Sequence, residues 1–250
     1  MRAPVMGPSN TAGDARFGEL IAKLSRFVPL DEADREAIHG WPLTERAVRA
    51  EDMLIDEGSR IEGCILLLSG IAARVKLTRD GRRQIVSFHF PGDLLDLPHL
   101  FFDRADHGVQ AITNARVAHI PRAAMLRSMR ERPMVHDALW RDTLVEASIA
   151  REWVLNLGRR DARARIAHLL CEIELRTGAG RARGDGFYFP VTQEDIADAT
   201  GLTSVHVNRT LRGLREEGAL EYRGGRITVK DRARVESIAQ FSPAYLRELV

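Results

Sequence analysis

The run from Thr192 to Glu217 constrains this chain most, because small, turning and apolar residues fall in it at fixed intervals. Ala197 is small where two helices must approach closely, and Gly201, four positions on, suits the left-handed backbone that turns the chain. Val207, six positions further, packs a second helix back on the first. Thr192 and Thr203 are placed as N-caps, and Thr192-Gln-Glu-Asp195 matches a capping box. The spacing predicts a helix-turn-helix whose second helix covers 203–217. On that helix Val207, Leu211 and Leu214 form the buried stripe, leaving Ser204, Val205, His206, Asn208, Arg209 and Arg212 outward. Residues near the N-terminus of such a helix meet base edges in the major groove of double-stranded DNA. Arg209 suits a bidentate contact to guanine, worth about 1–3 kcal/mol of discrimination, and Val205 suits a thymine methyl. Asn208 and His206 touch phosphate as readily as base. Thr192, Gln193 and Thr203, at the two helix starts, belong to the same candidate surface.

After this segment, Ala219 to Val229 reads as a hairpin turning at Gly224-Gly225, with Leu220, Tyr222, Ile227 and Val229 alternating inward. Arg223 and Arg226 flank its tip and suit phosphate contact, which makes the unit a winged helix-turn-helix. Net charge is only +2, but Thr203–Arg234 holds seven Arg and one Lys against three Glu and one Asp, a local balance of +4. Charge alone separates a phosphate-seeking patch from a solvated surface no better than evenly.

Upstream, residues 1–13 read as a flexible tail, and 14–132 as a sensor domain. Two short helices open it, with Asp14 and Asp31 placed as N-caps. Between Trp41 and Ile120, β-rich runs alternate with Gly, Asp and Pro turns; the clear strands are 64–68, 71–78 and 84–90. Arg79-Asp-Gly-Arg82 is a hairpin turn. Regular strand spacing predicts an antiparallel roll or barrel, so the fold class is α+β. Pro133 starts a long helix over 133–158. Val135, Leu139, Val145, Ile149 and Trp153 make one apolar stripe along it. The stripe fits packing on the chain's own β-domain or a coiled-coil dimer; dimerisation is the expectation, because both flanking domains have cores of their own. The DNA-binding unit then covers 159–250. The Gly-rich stretch 177–186 lacks the order of a phosphate-binding loop and reads as a plain connection.

At 250 residues, with 44% hydrophobic and 29% charged residues, the chain is long enough for two modest domains. No apolar run approaches the ~20 residues that cross a bilayer, so no membrane partner is expected. Two cysteines, Cys64 and Cys171, exclude a disulfide framework and an iron–sulfur cluster built on one chain, and point to a reducing cytoplasm.

These motifs together resemble the family of the cyclic-AMP receptor protein and the fumarate–nitrate reduction regulator. The likeness spans about residues 20–240 and rests on Asp56-Glu-Gly58, Leu66-Leu-Leu-Ser-Gly70, Phe90-Pro-Gly-Asp93, Asp161-Ala-Arg-Ala-Arg-Ile-Ala167 and the helix-turn-helix. It implies a homodimer joined through the long helix, an effector-sensing β-roll, a hinge at Asp161 and a palindromic operator with half-sites one helical turn apart. An activator of this kind would also meet RNA polymerase.

The sensor departs from the family pattern. Where cyclic-nucleotide binders carry Gly-Glu-Leu and then Arg-Ser or Arg-Ala around the phosphate, this chain has Asp96-Leu97-Pro98 and Ala105-Asp106; Ala150 and Arg151 replace the hydroxyl residues that meet the base. A buried phosphate needs a cation and N–H donors, so cyclic AMP is not expected and these six positions form a degenerate effector pocket. His89, His99 and His107 leave haem as a minor alternative, and Cys171 leaves redox sensing. The grouping Asp96, His99, Asp103 and His107 matches no hydrolase spacing, so no metal and no enzyme is expected. The reading is a sequence-specific DNA-binding regulator; the competing class is a ligand-binding module acting through protein contacts.

Overall fold

The computed structural model describes residues 15–177 and 186–249. The tail 1–13, the expected cap Asp14 and most of the Gly-rich connection lie outside them. The first α-helix of the described residues is α1 (Gly18–Phe27), followed by α2 (Glu32–His39). Asp31 caps α2 through a capping box, accepting from the Asp34 amide while the Asp34 carboxylate accepts from its own.

Seven strands follow: β1 (Thr44–Val48), β2 (Met53–Ile55), β3 (Gly63–Ser69), β4 (Ala72–Leu77), β5 (Arg83–His89), β6 (Gly108–Ala111) and β7 (Ala115–Pro121). They pair antiparallel into two sheets, ordered β1-β7-β3 and β2-β6-β4-β5. Successive side chains leave a strand on opposite faces, and here both faces are covered. Ile65 and Leu67 of β3, with Ala115 and Val117 of β7, join a core shared with β2, β4 and β6; Cys64, Leu66, Ala118 and Ile120 point the other way, into the core that holds the helices. Double burial explains why β3 reads as an unbroken apolar run. The β4–β5 hairpin turns through Asp80-Gly81, with Gly81 at φ +82°.

Helix α3 (Arg122–Glu131) leads into α4 (Pro133–Arg159), which runs 27 residues with Pro133 in its first turn. The stripe expected to dimerise is inside the chain: Val135, Leu139, Val145, Ile149 and Trp153 are at most 6% exposed and belong to the main core. Periodicity shows that a helix face is buried, not what buries it, and here α1, α3 and the C-terminal 3-10 turns pack on α4. A second row lies outward at alternating steps of four and three: Trp140, Leu144, Ala147, Arg151, Val154 and Gly158. Of these Trp140, Leu144 and Val154 are 54%, 47% and 72% exposed.

Asp161 caps α5 (Ala162–Arg176) by accepting from the Ala164 amide. The remainder comprises β8 (Phe187–Tyr188), α6 (Gln193–Thr200), α7 (Ser204–Glu216), β9 (Leu220–Arg223), β10 (Arg226–Val229) and α8 (Arg232–Ala239). Strand β8, which the sequence reading missed, extends the wing to the order β8-β10-β9. The main core continues from the roll through α4 into this unit, where Phe88 meets Trp153 and Phe189 edge-on at 6.2 and 5.2 Å. Among the described residues no helix is long and apolar enough to cross a membrane.

Candidate nucleic-acid interface

Local chemistry sets the angle between α6 and α7. The Thr192 hydroxyl accepts from the Asp195 amide at 3.0 Å while Asp195 accepts from the Thr192 amide at 2.9 Å, so the exposed end of α6 is closed reciprocally. Gly201 ends α6 at φ +64°, a region other residues enter at a cost, and the Thr203 side chain then caps α7 by accepting from the His206 amide. Ile196, Ala197, Val207, Leu211 and Leu214 are buried where the helices meet.

The outward face of α7 therefore presents Ser204, Val205, Asn208, Arg209 and Arg212, with Val205 78% exposed and His206 half-buried. Asn208 donates its side-chain amide to Gln193 at 3.1 Å, tying the two helix surfaces together. Arg212 lies 3.7 Å from Glu216. Arg215, absent from the sequence reading, joins Gln193, Asn208, Arg212 and Tyr222 around a concavity of about 150 Å³ between the helices and the wing. At the wing tip Arg223 and Arg226 face each other across Gly224 and Gly225, at φ +57° and +77°.

Structure also resolves the local charge that composition left open. Arg232 is paired with Glu174 at 2.7 Å, and Arg234 and Arg163 with Glu217. Among the described residues, the side chains of Arg209, Arg215, Arg223 and Arg226 make no hydrogen bond or ion pair, and all four are exposed. Within Thr203–Arg234 the unpaired arginines thus lie on the recognition helix and the wing, the elements that carry the recognition positions.

The docking of this unit on the roll went unseen in the sequence. Arg83 of β5 donates Nη2 to Asp195 at 2.6 Å, Nε to Asp198 at 2.7 Å and Nη1 to Gln110 at 2.7 Å. Two acids three positions apart on α6 were the available signal. Arg176 adds a second bridge, donating to the Phe88 carbonyl at 2.9 Å and lying 3.4 Å from Asp93.

The six positions assigned to a degenerate effector pocket are not gathered into one cavity. Asp96 is buried and accepts from the Ile65 amide at 3.0 Å, beside an open cleft of about 260 Å³. Leu97 lines a separate apolar groove, and Arg151 a groove on the outer face of α4. Ala105 is buried, Asp106 exposed and Ala150 exposed. Register alone could not show that the chain fills the space between roll and α4 itself. Arg74 of β4 reaches Glu146 of α4 at 3.2 Å and the Leu95 carbonyl at 2.9 Å. His89 faces Ser87, Asp93 and Glu146, apart from His99 and His107, which stack on each other. Lys23 bridges Asp93 and Asp142, each at 2.7 Å. Burial alone would raise the Asp93 carboxyl, but Lys23, His89 and Arg176 hold it well below the usual range. Asp142 is pushed up to about 6, because burial outweighs Lys23 and the acids Glu146 and Asp93 stand nearby. Both cysteines are free and buried; burial raises the Cys64 thiol and pushes Cys171 up to about 12, so neither carries thiolate at neutral pH.

Comparison with known proteins matches residues 164–238 to the Crp-like helix-turn-helix domain and residues 45–132 to the cyclic nucleotide-binding domain. The chain is 33% identical over 195 residues to the transcriptional activator protein FnrL of Cereibacter sphaeroides, covering 76% of this chain and 78% of that protein. It is 35% identical over 173 residues to the nitrogen fixation regulation protein FixK of Bradyrhizobium diazoefficiens, covering 69% and 72%. The structure of FixK2 from Bradyrhizobium japonicum superimposes with a TM-score of 0.73 at 28% identity, covering 80% of this chain and 99% of that one.

Proposed function

Since this chain belongs to the Crp/Fnr family of transcriptional regulators, we propose that it binds a palindromic operator as a homodimer in the cytoplasm, and responds to something other than cyclic AMP. The observation that carries the DNA-binding part is the face of α7, where Arg209 stands exposed and unpaired beside Val205, with Arg223 and Arg226 free on the wing. In the major groove Arg209 contacts a guanine edge while the wing arginines sit on phosphate. A two-fold protein sets half-sites about 34–36 Å apart. The outward row of α4, from Trp140 to Gly158, is the seam this reading assigns to the partner copy, in place of the buried stripe.

The effector side of the proposal is supported by what occupies the sensor. The part-buried space between β4 and α4 holds the Arg74–Glu146 pair, and the loop aligned with the phosphate position exposes the Asp106 carboxylate. An incoming phosphate would meet like charge and an arginine already committed. Two relatives are named as activators, and contact with RNA polymerase follows if this chain shares that role.

Selection from a random DNA pool, followed by binding at several salt concentrations, tests the proposal. The expected result is a palindromic site whose affinity falls steeply with salt. R209A should weaken the selected site about 5- to 150-fold per half-site and relax one base position. R223A should weaken all sequences alike and flatten the salt slope. Binding that shows no salt dependence and no selected sequence would overturn it in favour of a module acting through protein contacts.

A further inference from the structure

The 3-10 turn Leu97–Phe101 and the start of β6 bring together three residues that the sequence separates. His99 and His107 are 2% and 7% exposed, and their rings stack with centroids 4.8 Å apart. Each turns one nitrogen to the same oxygen: His99 Nε2 lies 3.1 Å and His107 Nδ1 2.6 Å from Asp106 Oδ1. The Asp106 amide also points at His99 Nε2 from 3.4 Å, which presents that nitrogen as an acceptor facing the carboxylate. Two acceptors held face to face favour a positive charge between them.

We propose that His99, His107 and Asp106 form a binding site for a divalent transition-metal cation of the zinc, cobalt or nickel type. All three ligand atoms lie within 4.8 Å of one another. A tetrahedral ion with bonds of about 2.0–2.1 Å sets its ligands roughly 3.4 Å apart. Asp106 Oδ1 already lies within that distance of both nitrogens, so the closing movement falls on the two stacked imidazoles, whose facing nitrogens must draw together, while the 86% exposed Asp106 side chain follows. That exposure leaves the fourth position open to water. Two imidazoles and one carboxylate select such ions over magnesium or calcium, which take oxygen. Asp96 and Asp103, grouped with these histidines by sequence, are engaged elsewhere, on the Ile65 amide and on Arg122. The outer nitrogens, His99 Nδ1 and His107 Nε2, are buried without hydrogen-bond partners. Missing outer-shell support of this kind weakens a site about 10- to 100-fold, so the ion is exchangeable rather than a permanent structural clip. The same turn packs on α4, where Leu97, Pro98, Phe101 and Phe102 share an apolar groove with Leu139 and Trp140. An ion bound there stiffens the contact between the sensor and the outward face of α4.

Titration of the full-length, chelator-treated protein with Co²⁺, followed by visible absorption and by competition with Zn²⁺, tests the site. The expected result is one saturable ion per chain with tetrahedral or five-coordinate bands. D106A alters only an exposed side chain and keeps the fold; it and H107Q should each weaken binding at least about tenfold, while H89Q leaves it unchanged. Circular dichroism and melting of each variant separate loss of the site from loss of the fold. Absence of saturable binding, or saturable binding that D106A and H107Q both leave intact, overturns the proposal.

Discussion

The two faces of α4 make opposite predictions, and a pair of alanine substitutions separates them. Ile149 is 4% exposed and sits in the main core with Val145 and Trp153. Truncation to alanine removes three carbon atoms, a transfer loss of about 2.4 kcal/mol at ~0.8 kcal/mol each. The residual cavity adds to that, giving a cost of about 2–5 kcal/mol in stability. Leu144 is 47% exposed, so roughly half of its own ~2.4 kcal/mol is realised within one chain and the other half awaits a partner. In the proposed dimer two copies of Leu144 meet at the two-fold seam, so Leu144→Ala should cost the dimer about 2.4 kcal/mol, or roughly 60-fold in its dissociation constant. Sedimentation velocity over a dilution series reads the second effect. Urea unfolding at two protein concentrations reads the first and exposes any contribution from association. Ile149→Ala should lower the urea midpoint strongly, with a smaller change in dimer affinity. If it dissociates the dimer without loss of stability, while Leu144→Ala leaves the dimer untouched, the assignment of faces is wrong.

Arg83→Ala removes the bridge from β5 to Asp195 and Asp198 and should loosen α6 on the roll by on the order of 1–3 kcal/mol. Faster hydrogen exchange of the 193–200 amides, absent in Arg82→Ala, which loses only an exposed pair with Asp80, is the expected signature. His168 is buried against Tyr245 and Phe241, and burial, reinforced by Arg160, lowers it to about 3. Its unfolded-state value is near 6.5, so the unfolded chain takes up the proton first. Its contribution is complete above pH 6.5 and is lost as the pH falls toward 3, with a limiting slope of about 1.4 kcal/mol per pH unit. Denaturation at pH 7.5, 6.5 and 5.5 should show a shallower decline in His168→Phe than in the parent; parallel curves would refute it. Gly201→Ala should cost about 1 kcal/mol from its positive φ, and Gly201→Val more, because Leu157 lies 3.4 Å from the added Cβ. Thermal melts rank the two.

The helix-turn-helix and its wing were legible because their determinants are local. Caps at Thr192 and Thr203, a left-handed glycine at 201 and alternation along Leu220–Val229 each act within a few residues. Strand spacing made the roll legible for a similar reason, and the Asp31 cap is of the same kind. The stripe on α4 shows where local reading stops. Its apolar spacing is real, but the choice between a partner copy and the chain's own α1 and α3 depends on contacts that include α1, more than a hundred residues away. The Arg83 bridge to α6 and the meeting of His99, Asp106 and His107 are likewise long-range or loop-built, and no periodicity marks them. Sequence alone therefore determined the elements with strong local signals, namely β3 to β5, the start of α4, the helix-turn-helix and the β9–β10 hairpin, and that one face of α7 should read DNA. Only the tertiary structure decided which apolar face stays exposed, which arginines remain unpaired and what fills the sensor, because burial and charge pairing are properties of the whole packed chain.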